Sequence, residues 1–513
     1  MLKNKKIGKN VILKFLLGIT LSVLTALILR SGFVGATLSD TASGAGRRSS
    51  SRPARGCDMS PTGVETSDYF LNFIVTPGLM PDPQFDGRPA QIHVHRVRPV
   101  YKHGKCDGVP NRAIVLIHGR TIPGPVAFDT RHPTAEDPEG GKFSLQESLA
   151  GAGIDTFAPS LLGYGLSTRF DNGLDDPCNA SLPAYNLDGS CSFAEGCDKS
   201  LNLGIFPLNQ QRTELVVNPL AGRRCAHSSE HRFARIDVWA RDVIRVIDDA
   251  IARAQPQNNK IVLLGDSLGG VTIARALTNL GADAVNKVQR VVFMSSLFDR
   301  LFNSTGQEVR APLPTEEAPN ADSATTFPMA LFGRGQLLPP AQDPPGCDGK
   351  TIPGLTDDVW EQLMQNDVLG RNWGGSDPAN PTGLLRAPTF SNYGWNPDVA
   401  ANFTIPTLLL HGLNDDASPP SNSDHIFDAL TRVTDKALVQ VKCAGHSMVW
   451  EGCAGARCND GDPHTKPYGG HSQKWAGPYS TVNAALIEWV NDGTFNGARG
   501  GRFVINESGV VGN

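Results

Sequence analysis

Runs of Val, Ile and Leu recur through the middle of the chain. Residues 113–118, 261–264, 289–295, 406–411 and 437–441 are apolar without a regular polar alternation. Such runs suit strands buried on both faces of a parallel sheet, where no solvent face demands a period of two. Residues 154–158 read as a further strand. Residues 91–98 carry Ile92, Val94 and Val97 between polar neighbours and predict an edge-type antiparallel strand, with 70–75 a strand before it. A helical period appears at 236–254. There Ile236, Trp239, Ala240, Val243, Ile247, Ala250 and Ile251 share one face, while Asp237, Arg241, Arg245, Asp248 and Arg253 fall elsewhere. Shorter helices are expected at 144–150 and 479–490. Strands alternating with helices predict an α/β protein: a mostly parallel sheet with helices on both faces.

The rhythm fails in several places. Residues 169–232 hold four cysteines and many Asn, Gly and Pro, and read as an insertion over the site. Residues 299–401 are rich in Pro and Gly, with Trp360, Trp373, Tyr393 and Trp395 scattered among them, and read as a cap. Residues 37–68 predict a flexible linker, 69–495 the folded domain, and 496–513 a disordered tail. At the start, Lys3, Lys5, Lys6 and Lys9 precede an uncharged run at 15–29, and Val34-Gly35-Ala36 offers small residues for a peptidase. Residues 1–36 therefore predict a signal peptide or an uncleaved membrane anchor, with the rest of the chain secreted or held outside the cytoplasm.

Composition narrows the classes. With 513 residues, 40% hydrophobic and 19% charged, the chain is globular and long enough for two domains or for one domain with large insertions. A formal net charge of −4 and no basic stripe argue against nucleic acid as a partner. The ten cysteines are even in number, lie in predicted loops and include no CxxC pair, which suits disulfides in an exported protein better than zinc or a catalytic thiol. Asn179, Asn303, Asn402 and Asn506 each open an N-x-S/T sequon.

The candidate chemistry centres on Gly265-Asp266-Ser267-Leu268-Gly269, a G-x-S-x-G between a predicted strand and a predicted helix. A serine hydroxyl is a poor nucleophile at neutral pH and needs a base, which in turn needs a group to hold its tautomer. Asp415 follows the strand at 406–411, and His446 follows the strand at 437–441. Asp416 and Asp299 are rival acids, while His118 and His411, at strand ends, fit structural bonds to loop backbone. His425, His464 and His471 have no strand just before them.

Five motifs stand in order: His118-Gly119, Gly163-Tyr164-Gly165-x-Ser167, Gly265-x-Ser267-x-Gly269, Gly412-x-x-Asp415-x-x-x-Pro419 and Gly445-His446. On these the chain resembles the α/β-hydrolase-fold serine hydrolases over most of 69–495 outside the insertions. The resemblance implies Ser267 as nucleophile, His446 as base and Asp415 as acid. It places the oxyanion donors at the amides of Leu268 and Arg120. It implies hydrolysis of a carboxylic ester or lactone, without metal or organic cofactor, on a small to medium, partly apolar substrate. Amide, peptide or carbon–carbon cleavage by the same residues stays open, as does a silent binding protein on the same scaffold. Membrane contact is expected only through the N-terminal segment, if it is retained. Asp266 before the nucleophile departs from many members.

Overall fold

The structure, a computed structural model, describes residues 56–80, 83–135, 137–170, 234–303, 305–316, 329–338, 343–347, 349–371, 383–388, 390–452, 475, 477–507 and 509–512. The N-terminal targeting segment, the cysteine-rich insertion apart from Arg169 and Phe170, and Trp373, His464 and His471 lie outside them. Among the described residues no helix is long and apolar enough to cross a membrane.

Ten strands form one sheet: β1 (Gly63–Ile74), β2 (Pro89–Val100), β3 (Arg112–Ile117), β4 (Ile154–Ser160), β5 (Ile261–Asp266), β6 (Val288–Met294), β7 (Thr407–Gly412), β8 (Lys436–Val441), β9 (Gly501–Ile505) and β10 (Val511–Gly512). Their spatial order is β1-β2-β4-β3-β5-β6-β7-β8-β9-β10. The pairs from β4 to β9 are all parallel, whereas β1–β2, β2–β4 and β9–β10 are antiparallel. In β5, Leu263 faces one core layer and Val262 and Leu264 the other, and none of the three is exposed. Both faces are covered, so the central strands read as continuous apolar runs.

Helices α3 (Ile236–Ala254) and α4 (Leu268–Leu280) bury Trp239, Val243, Ile247, Val271 and Ile273 in one layer. Asp237 in the first turn of α3 and Arg253 in its last complement the helix dipole. On the opposite face lie α1 (Gly124–Phe128), α2 (Leu145–Gly151) and α7 (Pro478–Asp492), with Phe128, Leu145 and Trp489 buried. Within the 299–401 segment, α5 (Leu355–Asn366) buries Val359, Trp360 and Leu363 beside Val126, Phe143 and Tyr479. Helix α6 (Ser421–Ala429) follows β7.

Several expectations change. The first strand starts at Gly63 and pairs with β2 along its whole length, Gly63 with Val100 through Ile74 with Pro89. The linker therefore ends earlier than residue 68, and β2 is not an edge. The stretch expected to be a disordered tail holds a strand: β9 adds in parallel to β8, with Phe503 and Ile505 buried. Phe503 meets Phe495, their ring centres 5.0 Å apart. The last stretch of the cap belongs to the core. Trp395 is fully buried, stacked on Phe293 at 4.9 Å and touching Phe298 and Phe403.

One polar cluster fastens α1 and α2 to the sheet. His95 on β2 bonds Asp68 through Nδ1 and Asp129 through Nε2, both at 2.8 Å. Asp129, at the end of α1, also accepts from Arg131 and Ser144. Burial alone lowers the imidazole's pKa, but the bonds and charges of Asp129 and Asp68 outweigh it and push it up to about 9.

Two stability measurements test these contacts. Phe503→Ala should cost about 3 kcal/mol, read as a lower urea midpoint; an unchanged midpoint would deny β9 its place in the core. For His95, the folded pKa lies above the unfolded value of about 6.5. The protonated ring's contribution is therefore complete below that pH and lost as pH rises through about 9. The stability gap between wild type and His95→Gln should shrink from pH 6 to pH 9.5, and a gap that stays flat or widens refutes the charged-ring account.

Candidate active site

Ser267 sits between β5 and α4 in a conformation few non-glycine residues adopt, φ 54° and ψ −117°. Its amide donates to Met294 O at 2.8 Å, which fastens the turn to β6. The flanking glycines are forced by space. A Cβ on Gly265 would lie 2.4 Å from Gly269 O, and one on Gly269 would lie 2.4 Å from Ile117 O on β3. The helix starts so close behind the strand that only hydrogen fits there.

The structure brings Ser267, His446 and Asp415 together. Ser267 Oγ is 2.9 Å from His446 Nε2. His446 Nδ1 is 2.8 Å from Asp415 Oδ2 and 3.0 Å from Oδ1. A carboxylate only accepts, so Nδ1 carries the proton and Nε2 of the neutral ring is free to accept from the serine hydroxyl. Burial disfavours the charged ring, but Asp415 outweighs it and raises the His446 pKa above its ordinary value.

Asp415 is buried and surrounded by donors. Its Oδ1 accepts from the amides of Ala417 at 2.9 Å and Ser418 at 2.8 Å. Its Oδ2 lies 3.1 Å from His411 Nε2, which is also 3.0 Å from Ser418 O. Burial pushes the carboxyl's pKa up, yet the bonds from His411 and His446 hold it well below the usual range. Asp416 is exposed. Asp299 spends its carboxylate elsewhere, 3.3 Å from both Arg310 and His425.

Leu268 opens α4, where amides have no intrahelical partner. Gly119 packs against the serine: a Cβ there would lie 2.9 Å from Ser267 Cβ. Arg120 follows and lines the same crevice as Ser267. Behind this turn, buried His118 accepts Leu161 N–H on Nε2 at 3.1 Å, so its Nδ1 donates to Gly119 O at 2.7 Å. Burial pushes its pKa down to about 4, which keeps the ring neutral. His118 thus has a structural role, and His411 makes the expected bond to loop backbone at Ser418 O while also reaching Asp415.

The crevice beside Ser267 has a volume of about 50 Å³ and an apolar wall of Ile122, Ala127, Met294, Met448, Val449 and Trp450. Tyr393 and Trp395, expected in a lid, are packed in a core layer instead, whereas Trp360 packs among other residues of the 299–401 segment. Larger hollows of about 410, 460 and 440 Å³ lie on other parts of the described surface and do not include Ser267. Asp266 also borders the crevice. Burial pushes its carboxyl up to about 7, against the pull of His446. Among the described residues, no group of three His, Cys, Asp or Glu side chains is placed to hold a metal ion.

The sequence model of the alpha/beta hydrolase fold matches residues 112–452, more than half of the chain. No curated protein matches the sequence. Solved structures similar to the chain include a monoacylglycerol lipase from Paleococcus ferrophilus, 18% identical with a TM-score of 0.33, covering 74% of this chain and 95% of that one. A soluble variant of monoglyceride lipase from Saccharomyces cerevisiae is 13% identical with a TM-score of 0.38, covering 82% and 97%. The esterase RhEst1 from Rhodococcus sp. ECU1013 is 14% identical with a TM-score of 0.33, covering 70% and 88%. The order of the sheet, the turn at Ser267 and the sequence match agree: the chain belongs to the alpha/beta hydrolase fold family.

Proposed function

We propose that the protein is a serine hydrolase that cleaves a carboxylic ester or lactone through an acyl-enzyme, with Ser267 as nucleophile, His446 as base and Asp415 as acid. The observation that carries this reading is the unbroken path from Ser267 Oγ to His446 Nε2 at 2.9 Å and from His446 Nδ1 to Asp415 at 2.8 Å. His446 takes the serine proton as Oγ attacks the carbonyl carbon. The oxyanion is met by the amides of Leu268 and Arg120. The imidazolium then returns the proton to the leaving alkoxide, and a water activated by the same ring releases the acid. Asp415 stays ionised throughout and stabilises the imidazolium.

The apolar wall of the crevice supports a small to medium, partly apolar substrate. The disulfides Cys57–Cys106 and Cys347–Cys443 support action outside the cytoplasm, as does the leader-like segment at 1–36.

Labelling with a fluorophosphonate, which marks only an activated serine, and turnover of p-nitrophenyl esters of graded chain length test the reading. Ser267→Ala should fold normally and lose several orders of magnitude in kcat; retention of more than about a tenth sinks the proposal. Asp415→Asn keeps the shape but holds the ring in the wrong tautomer, and should cost on the order of 10⁴ in kcat. Asp416→Asn and Asp299→Asn should cost about tenfold or less. A large loss at Asp299 with a small one at Asp415 would move the acid to the loop after β6.

The raised pKa of His446 sets a pH dependence. The reactive form is the neutral ring, so labelling should climb with pH through a midpoint above the ordinary histidine value of about 6.5. A midpoint below it would contradict the ion pair.

A further inference from the structure

The loop that carries His446 is held from outside the sheet. Cys443, upstream of the histidine, is bonded to Cys347 of the 299–401 insertion. Glu451, downstream, accepts the amide of Gly445 on Oε2 at 2.8 Å, and its Oε1 lies 3.2 Å from Lys350 Nζ. Gly452 N donates to Lys350 O at 2.8 Å. The insertion side is pinned in turn: the Asp343 carboxylate accepts from the amides of Gly349 at 2.6 Å and Thr351 at 2.7 Å. The side chains of Lys350 and Glu451 are only 13% and 14% exposed. They close so tightly on the loop that a Cβ on Gly445 would lie 2.7 Å from Glu451 Oε1 and 2.9 Å from Lys350 Nζ.

We propose that Glu451 is a positioning residue: with Lys350 and the Cys347–Cys443 disulfide, it fixes the loop so that His446 stays in register with Ser267. This rests on the reading of Ser267 and His446 as nucleophile and base. The physical case is one of pairing. A carboxylate this far from water needs both a counter-charge and a donor, and Glu451 takes the first from the insertion and the second from the residue next to His446. Removing it leaves a Lys350 charge and a Gly445 amide without their partner at the same time. The ring it steadies has little tolerance, because a displacement of about 1 Å in such a site costs on the order of 10² in rate.

The test is the second-order rate of fluorophosphonate labelling of the purified protein, measured at a temperature where circular dichroism shows each variant folded. Glu451→Ala and the pair Cys347→Ser/Cys443→Ser should each label at least about tenfold more slowly. Glu451→Gln keeps an oxygen for the Gly445 amide and should recover to within about threefold of wild type. Cys57→Ser/Cys106→Ser, which removes the disulfide near β1, should label at the wild-type rate. With p-nitrophenyl acetate the loss should fall on kcat and leave KM unchanged. A purely structural role would lower the melting temperature and leave labelling of folded Glu451→Ala and Cys347→Ser/Cys443→Ser within about twofold of wild type, and that result overturns the proposal. If Glu451→Ala does not fold, the paired serine variant decides by the same criteria. If wild type itself does not label, or Ser267→Ala labels equally well, the serine-hydrolase reading falls first and this proposal with it.

Discussion

The close approach of α4 to the ends of β5 and β3 is the constraint on which the site depends. The chain must leave the strand at Asp266, reverse within one residue, and enter a helix whose first turn touches Ile117 O. Ser267 absorbs that reversal at φ 54°, a region that costs roughly 1–3 kcal/mol for a residue with a side chain. The surrounding packing holds it there: β6 takes its amide, and the buried faces of Val271 and Ile273 anchor the helix behind it. The result is a hydroxyl lifted clear of the backbone at the end of the sheet, where loops from several strands can reach it.

Charge at the site is arranged in a gradient away from that hydroxyl. Asp415, deepest, meets two amides and two imidazoles, so its negative charge is well satisfied despite burial. His446 takes the intermediate place, a quarter exposed and biased toward the charged form. Asp266, next to the serine but without comparable donors, is pushed toward neutrality by its burial. Two aspartates near one histidine thus hold opposite tendencies, because one has hydrogen-bond donors and the other has an apolar wall.

Most of the sheet was legible because burial on both faces leaves an unmistakable apolar run, as in 261–264 and 437–441. The strands that escaped were those held by pairing rather than burial. Residues 63–69 of β1 are largely exposed and polar, and only their register with β2 makes them a strand. In β9 only Phe503 and Ile505 turn inward, between glycines and arginines that resemble a tail. Aromatic residues in a Pro- and Gly-rich stretch suggest a lid, yet Trp395 reaches back under the sheet, a tertiary contact that local composition cannot express. At the site, the spacing from Gly412 to Pro419 separated Asp415 from its exposed neighbour Asp416. No spacing rule marked Lys350 and Glu451, because their contact joins the insertion to the histidine loop, and none marked His411, although it lies only four residues before Asp415.

The sheet alone does not bring His446 to Ser267. Its strand, β8, stands three places from β5 in the order β5-β6-β7-β8, and at about 4.8 Å per strand the ring must return over roughly 14 Å. A free loop of that reach would sample many positions and lose entropy on settling into one. The chain shortens the problem by welding the histidine loop to its neighbour. Asn414 N donates to Ala444 O at 2.8 Å, and Gly412 leaves room for the carbonyls of Ala444 and Gly445, which a Cβ would meet at 2.4 Å. Trp450 adds a bond from Nε1 to Thr130 Oγ1 at 2.7 Å, beyond α1, on the far side of the crevice. The ring is thus placed by contacts made at both ends of its loop. Strand order fixes which loops can meet, and these contacts fix the distance at which they do.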